Sequence, residues 1–327
     1  MKLLRYSRKN ENAAHARLGV LMGRDNLVAD LRAGYALYLV EKKGNPKGEQ
    51  IAEIFMPAYL AQFLHLGEAG WEALAEAYLW LSDAVGTDAE APGLDGEDLF
   101  IPLEQCRLYA PLRPSKLIAI GRNYPAPAGA EPRKRGVVPG GFIKVTSSII
   151  GPGRDILKPA VTSELDCETE LAIVIGKKCR NVSEADAMEV IAGFTIVNDV
   201  TARDVGRDER LGGSLLVAKN FDTFCPLGPW LVTRDEVPDP MNLRIRTRVN
   251  GELRQSGTTA DMLWSIPKLV SYLSQMTLMP GDIISTGSPG GGASARGTGS
   301  FLNAGDVIEA EVEGVGLLVN AVVDEPQ

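Results

Sequence analysis

Three carboxylates stand at alternate positions in the run Leu165-Asp166-Cys167-Glu168-Thr169-Glu170-Leu171, directly before an apolar stretch that continues to residue 175. Such a run reads as a buried strand, and residues i, i+2 and i+4 of a strand share a face. Asp166, Glu168 and Glu170 would then point the same way, neighbours only ~7 Å apart. No Lys or Arg lies between them. Like charges that close repel unless something positive faces them, and a divalent hard cation is the natural occupant. A solvent-facing acidic edge is the competing reading. A second apolar run, 193–198, ends in Asp199, which could complete a Glu, Glu, Asp set of oxygen ligands. Such a set leaves positions for water or a chelating substrate, the usual way Mg2+ is held in enzymes.

The rest of the chain has to position these groups. Its 327 residues, 45% of them hydrophobic, allow one large domain or two with a sizeable core. A net charge of -8 argues against a general nucleic-acid binder and against an anionic membrane surface as partner. The four cysteines form no CxxC pair, so neither a disulfide scaffold nor a zinc site is expected. No run approaches the ~20 apolar residues of a membrane span, and the first 17 residues lack the apolar core of an export signal, so a cytoplasmic protein is expected.

Along the chain, 19–22 reads as a short strand, and Asp30 as the cap of a helix with Leu31, Tyr35, Tyr38 and Leu39 on one face. A second helical region follows Pro57 up to Gly86, with His65 packed among apolar neighbours rather than acting as a ligand. The acidic, Gly-containing segment 86–98 reads as a linker, giving an N-terminal domain over 1–100 and a second domain over 101–327. Beyond it strands dominate: 117–120, 141–144, 171–175, 194–197, a hairpin turning at Asn250-Gly251, and two more near the C-terminus. Ser183 and Ser265 are expected to cap two helices. Many strands with few helices predict an α+β, mainly β architecture rather than a doubly wound sheet.

Several separated motifs over 108–323 resemble the fumarylacetoacetate hydrolase superfamily. They are Leu117-Ile-Ala-Ile-Gly-Arg-Asn-Tyr124, Phe142-Ile-Lys144, Glu168-Thr-Glu170, Asn198-Asp-Val-Thr-Ala-Arg-Asp204, Lys219-Asn-Phe-Asp222, Val249-Asn-Gly-Glu252 with Gln255, and Pro280-Gly-Asp282 through Thr286-Gly-Ser-Pro289. The resemblance implies a mixed β-roll catalytic domain beside a smaller N-terminal α/β domain, usually as a homodimer. It implies Mg2+ or Mn2+ held by Glu168, Glu170 and Asp199, and a 2-oxo or diketo carboxylate as substrate. Lys219 would stand as a positive charge beside the developing enolate, and Asn123, Tyr124, Gln255 and Ser288 would contact the substrate. Arg203 would orient the ligand shell or serve as a structural salt bridge.

One departure bears on the chemistry. Hydrolases of this kind commonly carry His four residues after the Asn of the NY motif and Glu three further on, a pair that activates water. Here those positions are Pro127 and Ala130, and Glu131 lies one position beyond. Glu131 is then the candidate for proton transfer, with a loop ion pair to Arg133 or Lys134 as its bland alternative. On family frequency the first expectation is metal-dependent C–C bond hydrolysis. The second is a lyase or isomerase (dehydratase, decarboxylase or tautomerase), which needs the enolate and no His-activated water, and the third a metabolite binder without turnover.

Overall fold

The computed structural model describes residues 1–23, 26–87, 92–125, 138–208, 214–293 and 300–326. Two compact units cluster out of the chain, Met1–Leu112 and Arg113–Gln327. The expected boundary near 100 moves on because two strands past it pair into the first unit.

In the first unit, β1 (Lys2–Arg8), β2 (Arg17–Met22), β3 (Leu27–Asp30), β4 (Phe100–Pro102) and β5 (Cys106–Tyr109) form an antiparallel sheet of order β4-β3-β2-β1-β5. Four helices accompany it: α1 (Leu31–Glu41), α2 (Gly48–Phe55), α3 (Leu60–His65) and α4 (Gly67–Thr87). Asp30 ends β3 and caps α1, its side chain accepting from the Ala33 amide at 3.0 Å, as its position before an apolar-periodic run predicts. His65 is not packed among its apolar neighbours. It faces solvent, with Nδ1 2.7 Å from the Ala61 carbonyl one turn back, because Phe63 and Leu64 take the inward face.

The second unit contains β6 (Leu117–Gly121), β7 (Gly140–Lys144), β8 (Ile149–Ile150), β9 (Ile156–Lys158), β10 (Leu165–Asp166), β11 (Thr169–Ile175), β12 (Ile191–Asn198), β13 (Thr201–Ala202), β14 (Cys225–Thr233), β15 (Arg244–Val249), β16 (Glu252–Thr258), β17 (Ile283–Ser285), β18 (Val307–Val312) and β19 (Gly316–Asp324). Among the described residues only short helices interrupt them, α5 (Arg203–Arg207), α6 (Leu215–Ala218) and α7 (Ile266–Leu273). One sheet runs β14-β12-β11-β17-β6-β7, mostly antiparallel with a parallel β17–β6 pair, and a second runs β16-β15-β18-β19-β9. Leu171, Ile173, Phe194 and Ile196 of the first sheet share one core with Ile245, Ala310, Val312 and Leu318 of the second. Alternation supplies those residues, so the opposite face of β11 is left to Glu170, Ala172 and Val174. The unit is α+β and mainly β, as expected.

One local expectation is corrected, and one strand was not foreseen. Ser183 begins no regular helix: its hydroxyl and the Asp186 carboxylate close a local turn, only 187–190 coils further, and Ile191 already starts β12. The central strand β14 went unread because Pro226, Gly228 and Pro229 suggest a loop. Ser265 does cap α7, accepting from the Lys268 amide, and Asn250 and Gly251 form the hairpin turn with φ of 53° and 80°.

Candidate active site

The β11–β12 ladder assembles the centre. Thr169 pairs with Asn198, so Glu168 and Asp199 lie just past the same end of the ladder, where the Asp199 amide donates to the Glu168 carbonyl at 2.8 Å. Glu170 sits one residue inside β11. Carboxylate oxygens of Glu168, Glu170 and Asp199 come within 4.8 Å of one another.

Asp166 does not join them. Regular pairing lapses at Cys167 and Glu168, and Asp166 turns to Arg203, whose Nε donates to Oδ2 at 2.9 Å. The same guanidinium donates from Nη2 to Glu168 Oε1 at 2.6 Å. Arg203 thus holds Glu168 in place and is itself aimed by Asp166, whose Oδ1 also accepts from the amides of Cys167 and Ala293.

Two lysines complete the cluster. Lys219 follows α6, which Ser214 caps, and its Nζ donates to Glu168 Oε2 at 2.5 Å and to Asp199 Oδ2. Lys144 ends β7 with its side chain fully buried, Nζ lying 2.8 Å from Asp199 Oδ1. It also donates to the carbonyls of Lys219 and of Phe224, the latter at 2.8 Å. Among the described residues Glu170 pairs with no lysine or arginine. Its Oε2 accepts from Ser285 Oγ at 2.5 Å and from the Gly287 amide at 3.0 Å. Gly287 is at φ +90°, and a Cβ there would lie 2.9 Å from the Ile120 carbonyl, so the donated amide depends on glycine.

These surroundings set the protonation states. Burial opposes ionisation of Glu168, but Lys219 and Arg203 outweigh it and hold its carboxyl well below the usual range. Burial, followed by the charges of Asp199 and Glu168, pushes Glu170 up to about 8. Lys219 is raised to about 12: burial opposes its charge, and Asp199 and Glu168 more than compensate. With every group ionised, four acids (Asp166, Glu168, Glu170, Asp199) against three bases (Lys144, Arg203, Lys219) would leave one net negative charge, which the raised Glu170 carboxyl relieves by keeping its proton. Buried, convergent, all-oxygen donors short of one positive charge suit a hard divalent cation, and the three carboxylates could hold one.

A cavity of about 480 Å³ opens over the carboxylates, lined among others by Arg122, Phe142, Arg203, Lys219, Gln255 and Ser288. Asn123 and Tyr124 are buried and do not appear in its wall. The Asn123 amide brackets the chain, donating to the carbonyls of Trp264 and Thr286 and accepting from the Trp264 amide. Gln255 reaches the cavity but is already engaged. Its Oε1 accepts from Thr247 Oγ1 at 2.6 Å and its Nε2 donates to the Pro289 carbonyl at 2.9 Å. Glu131, with Pro127 and Ala130, lies outside the described residues. Lys144, Ser285 and Arg122 are the residues of the site that sequence reasoning did not single out. Lys144 and Arg122 stand inside motifs quoted above, where an isolated cation in an apolar strand and a cation after a strand-ending glycine were the available signals.

Comparison with known proteins agrees with this arrangement. The family described as "Fumarylacetoacetate (FAA) hydrolase C-terminal" matches residues 116–323. The rat protein named "Oxaloacetate tautomerase Fahd2a, mitochondrial" is 41% identical over 82% of this chain and 80% of its own. Among solved structures, the 5-carboxymethyl-2-hydroxymuconate delta-isomerase of Mycobacterium smegmatis is 32% identical with a TM-score of 0.69, covering all of both chains. Maleylpyruvate hydrolase of Sphingobium sp. SYK-6, in complex with manganese (II) ion and pyruvate, is 30% identical with a TM-score of 0.71, again over all of both chains. No helix among the described residues is long and apolar enough to cross a membrane. The shared domain, the breadth of coverage and these identities establish that the chain belongs to the fumarylacetoacetate hydrolase family.

Proposed function

We propose that the protein is a divalent-metal-dependent tautomerase or isomerase of a small 2-oxo carboxylic acid, interconverting keto and enol forms by moving a proton between C3 and the 2-oxygen. The observation that carries this reading is the make-up of the second unit. It has the carboxylate centre and its lysine, yet the chain's two histidines, His15 and His65, both belong to the first unit. Hydrolysis needs an activated water, whereas tautomerisation needs only enolate stabilisation and one proton carrier. The names of the rat and mycobacterial relatives point the same way.

Mg2+ or Mn2+ at Glu168, Glu170 and Asp199 would supply Lewis-acid polarisation of the 2-oxo acid. The chain's own groups do the rest. Arg203 fixes Glu168, and Ser285 with the Gly287 amide fixes Glu170. Lys219, held cationic, presents an N–H donor on the cavity wall where negative charge grows on the 2-oxygen. Ser288 offers a hydroxyl to the substrate carboxylate. Glu131 is the proposed proton carrier, from the segment outside the described residues. The Sphingobium relative, a hydrolase by name with pyruvate bound, supports C–C bond hydrolysis as the second reading. A homodimer is the proposed assembly, checked by light scattering.

The test follows enol-oxaloacetate by its ultraviolet absorbance with Mg2+ or Mn2+, beside a panel of acylpyruvates assayed for cleavage. Metal-dependent ketonisation without cleavage of the panel supports the proposal. Cleavage that outpaces ketonisation would replace it with the hydrolase reading.

A further inference from the structure

The cations that touch the carboxylate cluster are all committed: Lys144 and Lys219 to Asp199, Arg203 to Asp166 and Glu168. Arg122 is not. It lines the same cavity and its side chain is exposed, with no ion-pair or hydrogen-bond partner among the described residues. Its backbone is left-handed, at φ +58°. A non-glycine residue there is held at a cost of order 1 kcal/mol or more and persists where its surroundings over-determine it, typically at ligand sites. The surroundings are visible here. Gly121 is paired with Gly140 at the end of β6, and Asn123 is bracketed by Trp264 and Thr286, so the one residue between them makes the turn.

Charge adds a second, separate observation. With Glu170 ionised, as it would be beneath a metal, the four acids and three bases leave one net negative charge, so a bound divalent cation would bring the cluster to one net positive. A 2-oxo monocarboxylate would cancel that and leave Arg122 as an unneutralised cation at the rim. A 2-oxo dicarboxylate brings two negative charges, which the cluster and Arg122 together balance. A guanidinium is also the side chain best shaped for a carboxylate, through two parallel N–H donors.

We infer that Arg122 sets specificity by taking the second carboxylate of a short 2-oxo dicarboxylic acid, whose first carboxylate and 2-oxo group lie at the Glu168, Glu170 and Asp199 centre. This deepens the function proposed above and rests on it only in that a 2-oxo acid occupies that centre.

The test titrates the Mn2+-loaded full-length protein with freshly dissolved oxaloacetate and with pyruvate by calorimetry, in the parent, Arg122→Asn and Arg122→Lys. Asn is chosen because it tolerates a left-handed backbone, so the turn survives. The parent should bind oxaloacetate about 10-fold or more tighter than pyruvate, the worth of a charge-assisted pair. Arg122→Asn should erase that preference with pyruvate affinity unchanged, and Arg122→Lys should keep part of it. A preference that survives in Arg122→Asn, an equal loss for both ligands, or a parent that binds neither would overturn the inference. An Arg122-dependent preference without keto–enol turnover would sink the catalytic reading alone, and turnover without that preference would sink this one alone.

Discussion

Lys144 and Lys219 hold opposite oxygens of the same carboxylate, that of Asp199, and the Lys144 ammonium also donates to the Lys219 carbonyl. One lysine is sealed in the fold and the other opens onto the cavity. Substituting them should therefore have different consequences.

Lys144→Met should destabilise the protein by roughly 3–5 kcal/mol, because it strands Asp199 Oδ1 and the Phe224 carbonyl in a buried site. Urea denaturation of the metal-free protein checks this. A change well under that range would mean that neighbouring groups relax into the gap.

Lys219→Met should instead leave Mn2+ affinity equal or higher, since a cation between two of the carboxylates is removed, while turnover falls by about 10²–10³. Calorimetry with Mn2+ beside steady-state kinetics separates the two effects. A parallel fall in both would make Lys219 a structural ion pair.

Glu170 should make metal binding pH-dependent. In the metal-free protein its carboxyl keeps its proton up to about 8, so binding at neutral pH should displace about one proton, and none well above that value. Calorimetry in buffers of different ionisation enthalpy measures the number. The folded-state value also lies above the ordinary 4.5, so the folded metal-free protein binds the extra proton between the two. Its stability should therefore fall as pH rises through that window. Ser285→Ala removes a hydrogen bond that favours the ionised form and should move the proton release to higher pH.

Gln255→Leu should cost about 1–3 kcal/mol by leaving Thr247 and the Pro289 carbonyl short of a partner. If the amide serves chiefly to seat the loop, KM for any substrate should rise while Mn2+ affinity stays constant. A fall in Mn2+ affinity would show that Gln255 acts on the carboxylates through Thr169, whose amide it also receives.

The grouping of Glu168, Glu170 and Asp199 was legible because strand alternation and an antiparallel ladder are local rules. Asp166 obeyed the same alternation on paper. It left the group because pairing lapses at Cys167 and Glu168, and a partner 37 residues away, Arg203, decides its orientation. Lys144 was illegible for a related reason: nothing within its own strand shows that its ammonium meets Asp199. Strand β14 was hidden by its prolines, which hydrogen-bond patterns tolerate only at particular positions that tertiary pairing selects. The hairpin at Asn250-Gly251 and the Asp30 and Ser265 caps were readable because residue and geometry are coupled within a few positions.

Beyond Thr286, which Asn123 and Leu171 hold, the loop after β17 is fastened again at Gly287, Pro289 and Ala293. The Gly287 amide binds Glu170, the Pro289 carbonyl binds Gln255, and the Ala293 amide binds Asp166. Gly287 and Gly291 also hold φ of +90° and +115°, which a side chain would strain. Substitution at Gly287 or Gly291 should therefore strain this part of the pocket wall, and at Gly287 the strain would reach Glu170 through the donated amide. Arg122 borders the same stretch, since Asn123 beside it holds the Thr286 carbonyl, yet its own exposed side chain pairs with none of the three carboxylates among the described residues, so exchanging it should retune the pocket while sparing Glu168, Glu170 and Asp199.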